Sequence, residues 1–466
     1  MKCLFLICVA GIAAVPTVSA QTRTLRIVTY NIEADIGVTN KQPTFTNIVT
    51  SAAEGPPLPG LISPPTNPTN VQAGGVLEGI GEEIVGNDPA QAIDILALEE
   101  ATSNLQTISP VVNGLNAFYN SPGLFTNSNY QATEAFGGDP TVGNGPNAIV
   151  FNTHILQLLA SVPVDPPGGT NNLGSTYGEY REVMRYEFAP AGVATNGSNT
   201  FYIYVSHYKS GSSSSYSVTN SRAGEAAIIR SSMLSLAAGS QILYLGDFNT
   251  GLASEPMYGI LTASGTNQLI DPLNPSRNLA TNFDGSAAPI NLTDSATYLE
   301  YRDDYHMMTT NIYCGTGGGL SYVAGTFHAF GNNGTIPYLG TANSGSNTAL
   351  NNDLATNGPA FINAAQLYVD LTGASDHLPV VADYTIPLPA PVITSLNLVE
   401  TNLVLNIANS ITGGVCTVWT TTNLALPLTN WMALVTNVSA GGSFTLTVTN
   451  AVNPAAPGQF YLLQEE

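Results

Sequence analysis

Six short apolar runs, each closing on or opening from a polar or ionisable residue, constrain this chain more than any other feature. "LRIVTYN" ends at Asn31, "IDILALEE" at Glu100, "FYIYVSH" at His207, and "QILYLGDFN" carries Asp247 and Asn249 at its end. The last two are reversed: Asp304 precedes "YHMM", and Asp376 and His377 precede "LPVVADY". Runs this short and this apolar read as buried strands. If the first four point one way and the last two the other, every polar end falls on one edge of a sheet assembly. That edge collects Glu100, Asp247, Asp304 and Asp376, two imidazoles and two amides. Ordinary strand ends carry Gly, Asn and Asp in turns, so the pair Asp376-His377 taken alone reads as a turn. The whole set reads as a site.

The ligand types define a chemistry. Carboxylates with an amide and no cysteine suit a hard divalent cation, Mg2+ or Mn2+, which takes one or two carboxylates and keeps several waters. Zinc is disfavoured, because only two histidines converge and neither belongs to an HExxH pair. A cation, an imidazole and short polar donors are the equipment for hydrolysing a phosphoester.

Several segments flank this core. "MKCLFLICVAGIAAVPTVSA" has a basic residue, a short apolar run and a small-residue end, so residues 1–20 are expected to be a secretory signal peptide and the protein to be secreted, extracellular or periplasmic. No segment is long and apolar enough to read as a transmembrane helix. Without Lys2 the charge is 10 − 32 = −22, which argues against a broad basic face for nucleic acid or anionic membranes. Cys314 and Cys416 form no metal-type spacing; they either pair or remain as two buried thiols.

Prolines 387, 389 and 391 mark a linker, and no Lys, Arg or His follows His377. The expected division is a catalytic domain over 21–386, a linker over 387–394 and a small all-β sandwich domain over 395–466, where short alternating strands recur. "GGVLEGIGEEIVG" and "SRAGEAAIIRSSMLSLAA" are the clearest helical patterns. Two long loops, 39–72 and 315–352, are expected to be functional rims or mobile segments.

The motifs "TYNI", "LALEEAT", "NAIVFNT", "SHYKSG", "LGDFNT", "RDDYHM" and "SDHLPV", in this order over nearly all of 21–386, resemble those of the endonuclease/exonuclease/phosphatase superfamily, the DNase I-like proteins. The resemblance implies an α/β fold, a four-layer sandwich of two packed, mostly antiparallel sheets. It implies that Asn31 and Glu100 bind the metal with help from Asp376, with Mg2+ or Mn2+ expected and Ca2+ as a further candidate. Asp247 and Asn249 would orient the attacking water and the phosphate. His377 would be the general base or the residue stabilising the phosphoryl group, and Asp304 its carboxylate partner. His207 would contact the phosphate or protonate the leaving group.

Lys209, two residues after His207 and one of two lysines outside the leader, is read as a phosphate contact. Asn147 either lines the phosphate side or caps a loop. Arg222 is either a substrate contact, as the resemblance hints, or an exposed helix arginine. Glu99 stands where the family commonly has Gln, adding a negative charge or a solvated neighbour. His154, His306 and His328 match no motif and read as structural.

The substrate reading is an extracellular nuclease acting on nucleic acid or another phosphodiester, with a sphingomyelinase, phospholipase or small-molecule phosphoesterase as alternatives. A catalytically retired adhesion module is disfavoured, since every expected position holds a competent residue. A monomer is expected, with the C-terminal domain binding a surface or polymer.

Overall fold

The structure, a computed structural model, describes residues 7–8, 21–32, 73–83, 91–101, 107–119, 128–133, 147–164, 183–193, 195, 199–294, 296–351, 364–388, 391–453 and 458–465. Its organisation follows from the double burial of the apolar runs. In the strand Ile93–Glu99 every residue is buried, and alternate residues serve different cores. Ile95 and Ala97 pack with Ile203, Val205, Leu243 and Leu245 between two sheets. Leu96 and Leu98 pack on the other side with Val76, Leu77 and Ile80 of the helix Ala73–Glu82. The period of two thus places one run in two apolar layers at once.

One sheet has the order Ser321–Tyr322, Val380–Leu388, Gln21–Asn31, Ile93–Glu99, Ala148–Asn152, Tyr130–Ala132, with His328–Ala329 also pairing on Val380–Leu388. The other runs Leu269–Ile270, Asp304–Thr309, Ile242–Asp247, Phe201–His207, Met184–Pro190, Leu156–Pro163. Both are antiparallel except for one parallel pair each: Gln21–Asn31 with Ile93–Glu99, and Phe201–His207 with Ile242–Asp247. The helix Tyr216–Ser235 covers the outer face of the second sheet, where Ile229 and Met233 meet Tyr204 and Tyr244. Helix, sheet, sheet, helix is the four-layer α/β sandwich expected from the motifs.

Both anticipated helical patterns are helices. Ser109–Phe118, Pro256–Leu261, Thr310–Cys314 and Ala364–Ala374 are further ones. The loop 39–72 lies outside the described residues. Residues 315–351 are instead an ordered loop that adds two short strands to the first sheet. Its asparagines take the place of backbone partners: Asn347 donates to the carbonyls of Gly331 and Ala342, and Asn332 to those of Pro289 and Leu292. Side-chain amides let irregular backbone satisfy its polar groups when no ladder is available.

The C-terminal segment is all β. Asn402–Thr421 and Met432–Val448 pair along their length with register shifts, and Val392–Val399 and Phe460–Glu465 pair with opposite ends of Asn402–Thr421. Leu403, Leu405 and Ile407 from one end meet Val418, Tyr461 and Leu463 from the other in a single core. Ile7–Cys8, within the stretch read as a leader, pairs with Phe460 and Tyr461. Strand structure continues to Leu388 and resumes at Val392, so part of the span read as linker is strand. Neither Cys314 nor Cys416 is in a disulfide; Cys416 is buried, but Cys314 is exposed rather than buried as expected.

One buried ion pair ties the outer helix to the first sheet. Arg26 is fully buried and donates through Nε and Nη2 to both carboxylate oxygens of Asp383, each at 3.0 Å. Its Nη1 donates to the carbonyls of Ile80 and Glu83, at 2.8 and 2.9 Å, which lie at the C-terminal end of Ala73–Glu82. Carbonyls there lack intrahelical partners, and a cation complements that end of the helix. Removing one partner would strand a buried charge, so Asp383→Ala is expected to cost about 3–5 kcal/mol in urea unfolding. A loss within about 1 kcal/mol, as for an exposed pair, would show that Arg26 does not depend on it.

Candidate active site

Strand direction assembles the site. In the two parallel pairs Asn31 lies opposite Glu99 and His207 opposite Asp247, and the antiparallel strand places Asp304 opposite Asp247. The close approach of Phe201–His207 to Ile242–Asp247 needs a glycine. Gly246 has φ +132°, and a Cβ there would lie 1.9 Å from the carbonyl oxygen of Ser206. Two turning residues follow the strand ends with positive φ: Glu100 at 55° and Asn249 at 53°. Asn tolerates this region, whereas for Glu it costs about 1 kcal/mol or more, a strain typical of functional positions.

The two sheets meet through Asp247. Asn31 Nδ2, from the first sheet, donates to Asp247 Oδ2 at 3.1 Å, and the Asn249 backbone N–H donates to Oδ1 at 2.8 Å. His207 Nε2 lies 3.4 Å from both Asp247 Oδ2 and Glu100 Oε1. His377 Nδ1 is 2.8 Å from Asp304 Oδ2, while its Nε2 is 3.7 Å from Asp247 Oδ2 and 3.9 Å from Asp376 Oδ1. Ser375 fixes the local chain, donating to the Asn31 carbonyl at 2.6 Å and accepting the His377 N–H at 3.0 Å. Asp376 is the open member, 44% exposed; Glu100, His207, Asp247, Asp304 and His377 are buried.

Burial dominates the electrostatics. It pushes Asp247 up to about 7, with Asp304 adding to the rise and His377 and the two donated hydrogen bonds opposing it. For His377, burial alone would lower the imidazole; the Asp304 and Asp247 carboxylates outweigh it and hold it well above the usual histidine range. Glu99 is fully buried, accepts the Thr29 hydroxyl at 2.8 Å, and is driven well above the carboxylate range by burial and by Asp304. It is therefore not a solvated neighbour, and its burial opposes the charge that a carboxylate would add there.

The carboxylate oxygens crowded here form a donor set that fits a hard divalent cation. Glu100, His207 and Asp247 offer ligand atoms within 4.8 Å of one another, as do Asp294, Asp376 and His377.

Asn31, Glu100, His207, Asp247, Asn249, Asp304, Asp376 and His377 are thus brought together. Asn147 opens the strand next to Ile93–Glu99; its side chain is buried, with neither amide atom hydrogen-bonded. Lys209 is exposed on the loop after His207.

Arg222 departs from both expectations. It is fully buried and donates to the carbonyls of Lys209 and Gly211 and to Glu255, so it braces the loop after His207 and neither meets substrate nor faces solvent. Its buried partner lies 33 residues away, a pairing no local pattern reveals. Sequence reasoning missed Asp294, Asp303 and Ser375. Asp303 lay within "RDDYHM" and Ser375 within "SDHLPV", whereas nothing near Asp294 marks it.

His306 is buried beside Tyr384 and held neutral, with burial lowering it to about 3, and His328 pairs with Glu83 at 2.9 Å. Both are structural, as expected.

The layer order and strand directions, with the seven motifs in sequence, make this the endonuclease/exonuclease/phosphatase fold. No family model matches the sequence and no curated protein matches it. Among solved structures the chain is similar to the catalytic domain of human Nocturnin with bound sulfate, at 16% identity over 78% of this chain and 97% of that one, TM-score 0.41. It is also similar to an endonuclease/exonuclease/phosphatase protein of Bacteroides vulgatus, at 13% identity over 78% and 99%, TM-score 0.42. A third is D. rerio TDP2 complexed with a single-strand DNA product, at 12% identity over 78% and 98%, TM-score 0.41. Likeness of this degree assigns neither a substrate nor a role to any residue.

The His377–Asp304 contact yields a direct check. In metal-free protein under chelation, the His377 ring protons should titrate above the free-histidine value of about 6.5. In Asp304→Asn the value should fall, because the largest opposing charge is gone while burial remains. An NMR titration in which Asp304→Asn leaves the value unchanged would contradict the electrostatics described here.

Proposed function

We propose that this chain is a divalent-cation-dependent phosphoester hydrolase. The observation that carries the reading is the convergence of Glu100, His207, Asp247 and His377 on one buried edge, with Asp304 behind His377. Glu100 and Asn31, with Asp376, would hold Mg2+ or Mn2+. Bound there, the cation supplies neutralisation of charge on the phosphoryl and leaving oxygens.

The chain's own groups account for the proton movements. Asp304 accepts the Nδ1–H of His377, which fixes the tautomer and leaves Nε2 facing the site. Neutral, Nε2 takes a proton from the attacking water; protonated, it donates to a phosphoryl oxygen. Asp247, held by Asn31 and the Asn249 N–H, orients the water. His207, within reach of Asp247 and Glu100, donates to the phosphate or to the leaving oxygen, and the Asn147 amide adds a donor on the phosphate side.

The first substrate reading is a phosphodiester of nucleic acid, cleaved outside the cell after loss of residues 1–20, with exposed Lys209 contacting phosphate. A small phosphoester is the second reading, and it is favoured by the lack of Lys or Arg among the residues lining the cavity next to Asn249. Residues 21–386 form the catalytic unit of this proposal. Residues 395–466, after the linker 387–394, form an appended unit for attachment to a surface or polymer, in a protein that acts as a monomer.

The test is hydrolysis of supercoiled plasmid and of a chromogenic phosphodiester by the purified chain, with Mg2+, Mn2+ or chelator. His377→Ala should lower kcat by about 10²–10⁴-fold with circular dichroism unchanged, and Glu100→Ala should abolish the metal response. Turnover that survives chelation and both substitutions would remove this mechanism.

A further inference from the structure

A cavity of about 630 Å³ opens beside the catalytic edge. Asn249 forms part of its wall, as do Asp294, whose backbone bridges to that of His377, and Asp303, the neighbour of Asp304. The far side is the loop of Ser212, Ser213 and Ser214, with Thr250; Asp284 and Tyr301 complete the parts that matter here. Among the described residues the lining is hydroxyls, amides, carboxylates, the Leu252 side chain and one aromatic ring, and contains no Lys or Arg.

The arginines nearby are committed elsewhere. Arg222, under the serine loop, is fully buried against Glu255 and two carbonyls. Arg302, adjoining Asp303, is fully buried, gives both Nη groups to Asp271 at 2.8 and 2.9 Å, and packs 3.9 Å from the Tyr305 ring centroid. Neither can turn toward an anion in the cavity without stranding a buried carboxylate. Tyr301 is 42% exposed, so its ring is open to a ligand.

From this wall we infer that the cavity holds the organic group esterified to the scissile phosphate, and that this group donates hydrogen bonds and carries no negative charge. A polyol or an amine meets carboxylates, hydroxyls and a ring face favourably. A second phosphate would meet the acceptor oxygens of Asp284, Asp294 and Asp303, whose own ionisation burial already opposes, with no cation among the described residues of the wall. The preferred substrate is then a small phosphoester or a chain end, not an internal link of a polyanion. This rests on the hydrolase reading above and narrows it.

The experiment compares kcat/KM for three p-nitrophenyl phosphodiesters with Mn2+, differing only in the second ester group: a glycerol-like polyol, an aminoethyl group, or a group ending in a phosphate. The phosphate-bearing probe should be at least about tenfold worse than the better of the other two, a difference of about 1.4 kcal/mol. Which of those two leads distinguishes polyol from amine. Ser213→Lys, which adds a cation to the wall outside the catalytic groups, should shrink the discrimination while activity on the polyol probe stays within about twofold. Equal or better use of the phosphate-bearing probe by the unaltered chain would overturn the inference and leave the hydrolase reading standing. No metal-dependent hydrolysis of any probe or of plasmid would overturn both.

Discussion

The hydrogen bond from Asn31 to Asp247 is the contact on which the catalytic edge depends, because it is made between sheets and not within one. Each sheet supplies one parallel pair whose ends face the same way, and the apolar layer between them, including Ile27, Ile95, Ile203 and Leu245, brings those ends into register. Dispersion and hydrophobic burial do the positioning; each fully buried aliphatic side chain there contributes about 1.5–3 kcal/mol. The polar contact then selects among close packings, because a sheet slipped by one residue would turn Asn31 or Asp247 into the core unpaired.

Charge is distributed in two distinct ways in this acidic chain. Away from the catalytic edge, three buried carboxylates have arginines: Asp383 has Arg26, Asp271 has Arg302, and Glu255 has Arg222. At the catalytic edge, Glu100, Asp247 and Asp304 stand beside imidazoles. This arrangement suits the proposed function. An arginine at the edge would cancel the negative potential permanently, whereas histidines leave room for a divalent cation and can still give or take a proton. The same distribution explains how so few basic residues stabilise the fold: three of them are fully buried, with fixed partners.

The catalytic strand ends were legible in the sequence because period-two burial is a local signal and a polar residue closing an apolar run interrupts it. Asn31, Glu100, His207 and Asp247 are all marked this way. Asp294 was not legible, since it reaches the site through a loop that bridges to His377 across a long separation in sequence. Arg222 was misread for a related reason. Nothing on its own helix distinguishes a solvated arginine from one buried against Glu255, and the helix carries Glu225 and Arg230 buried as well. The asparagine-rich stretch 315–351 looked like a mobile rim because glycine and asparagine usually mark loops, yet its amides act as surrogate backbone partners and hold it on the sheet.

Glu99 shows how the environment can undo a departure in sequence. A carboxyl where a carboxamide is common looks like an added charge beside Asp247 and Asp304. Yet the position is fully buried beside Asp304 and Asp247, which favour the protonated form, while the Thr29 hydroxyl and His377 oppose them and are outweighed. A protonated carboxyl offers one donor and one acceptor, the pattern by which an amide fills the same space. The cost of keeping it is that ionisation would place a third charge behind Asp304 and weaken the orientation of His377. Burial is thus what makes the departure harmless: Glu99 closes a strand on which its neighbours Leu98 and Ala97 are fully buried as well.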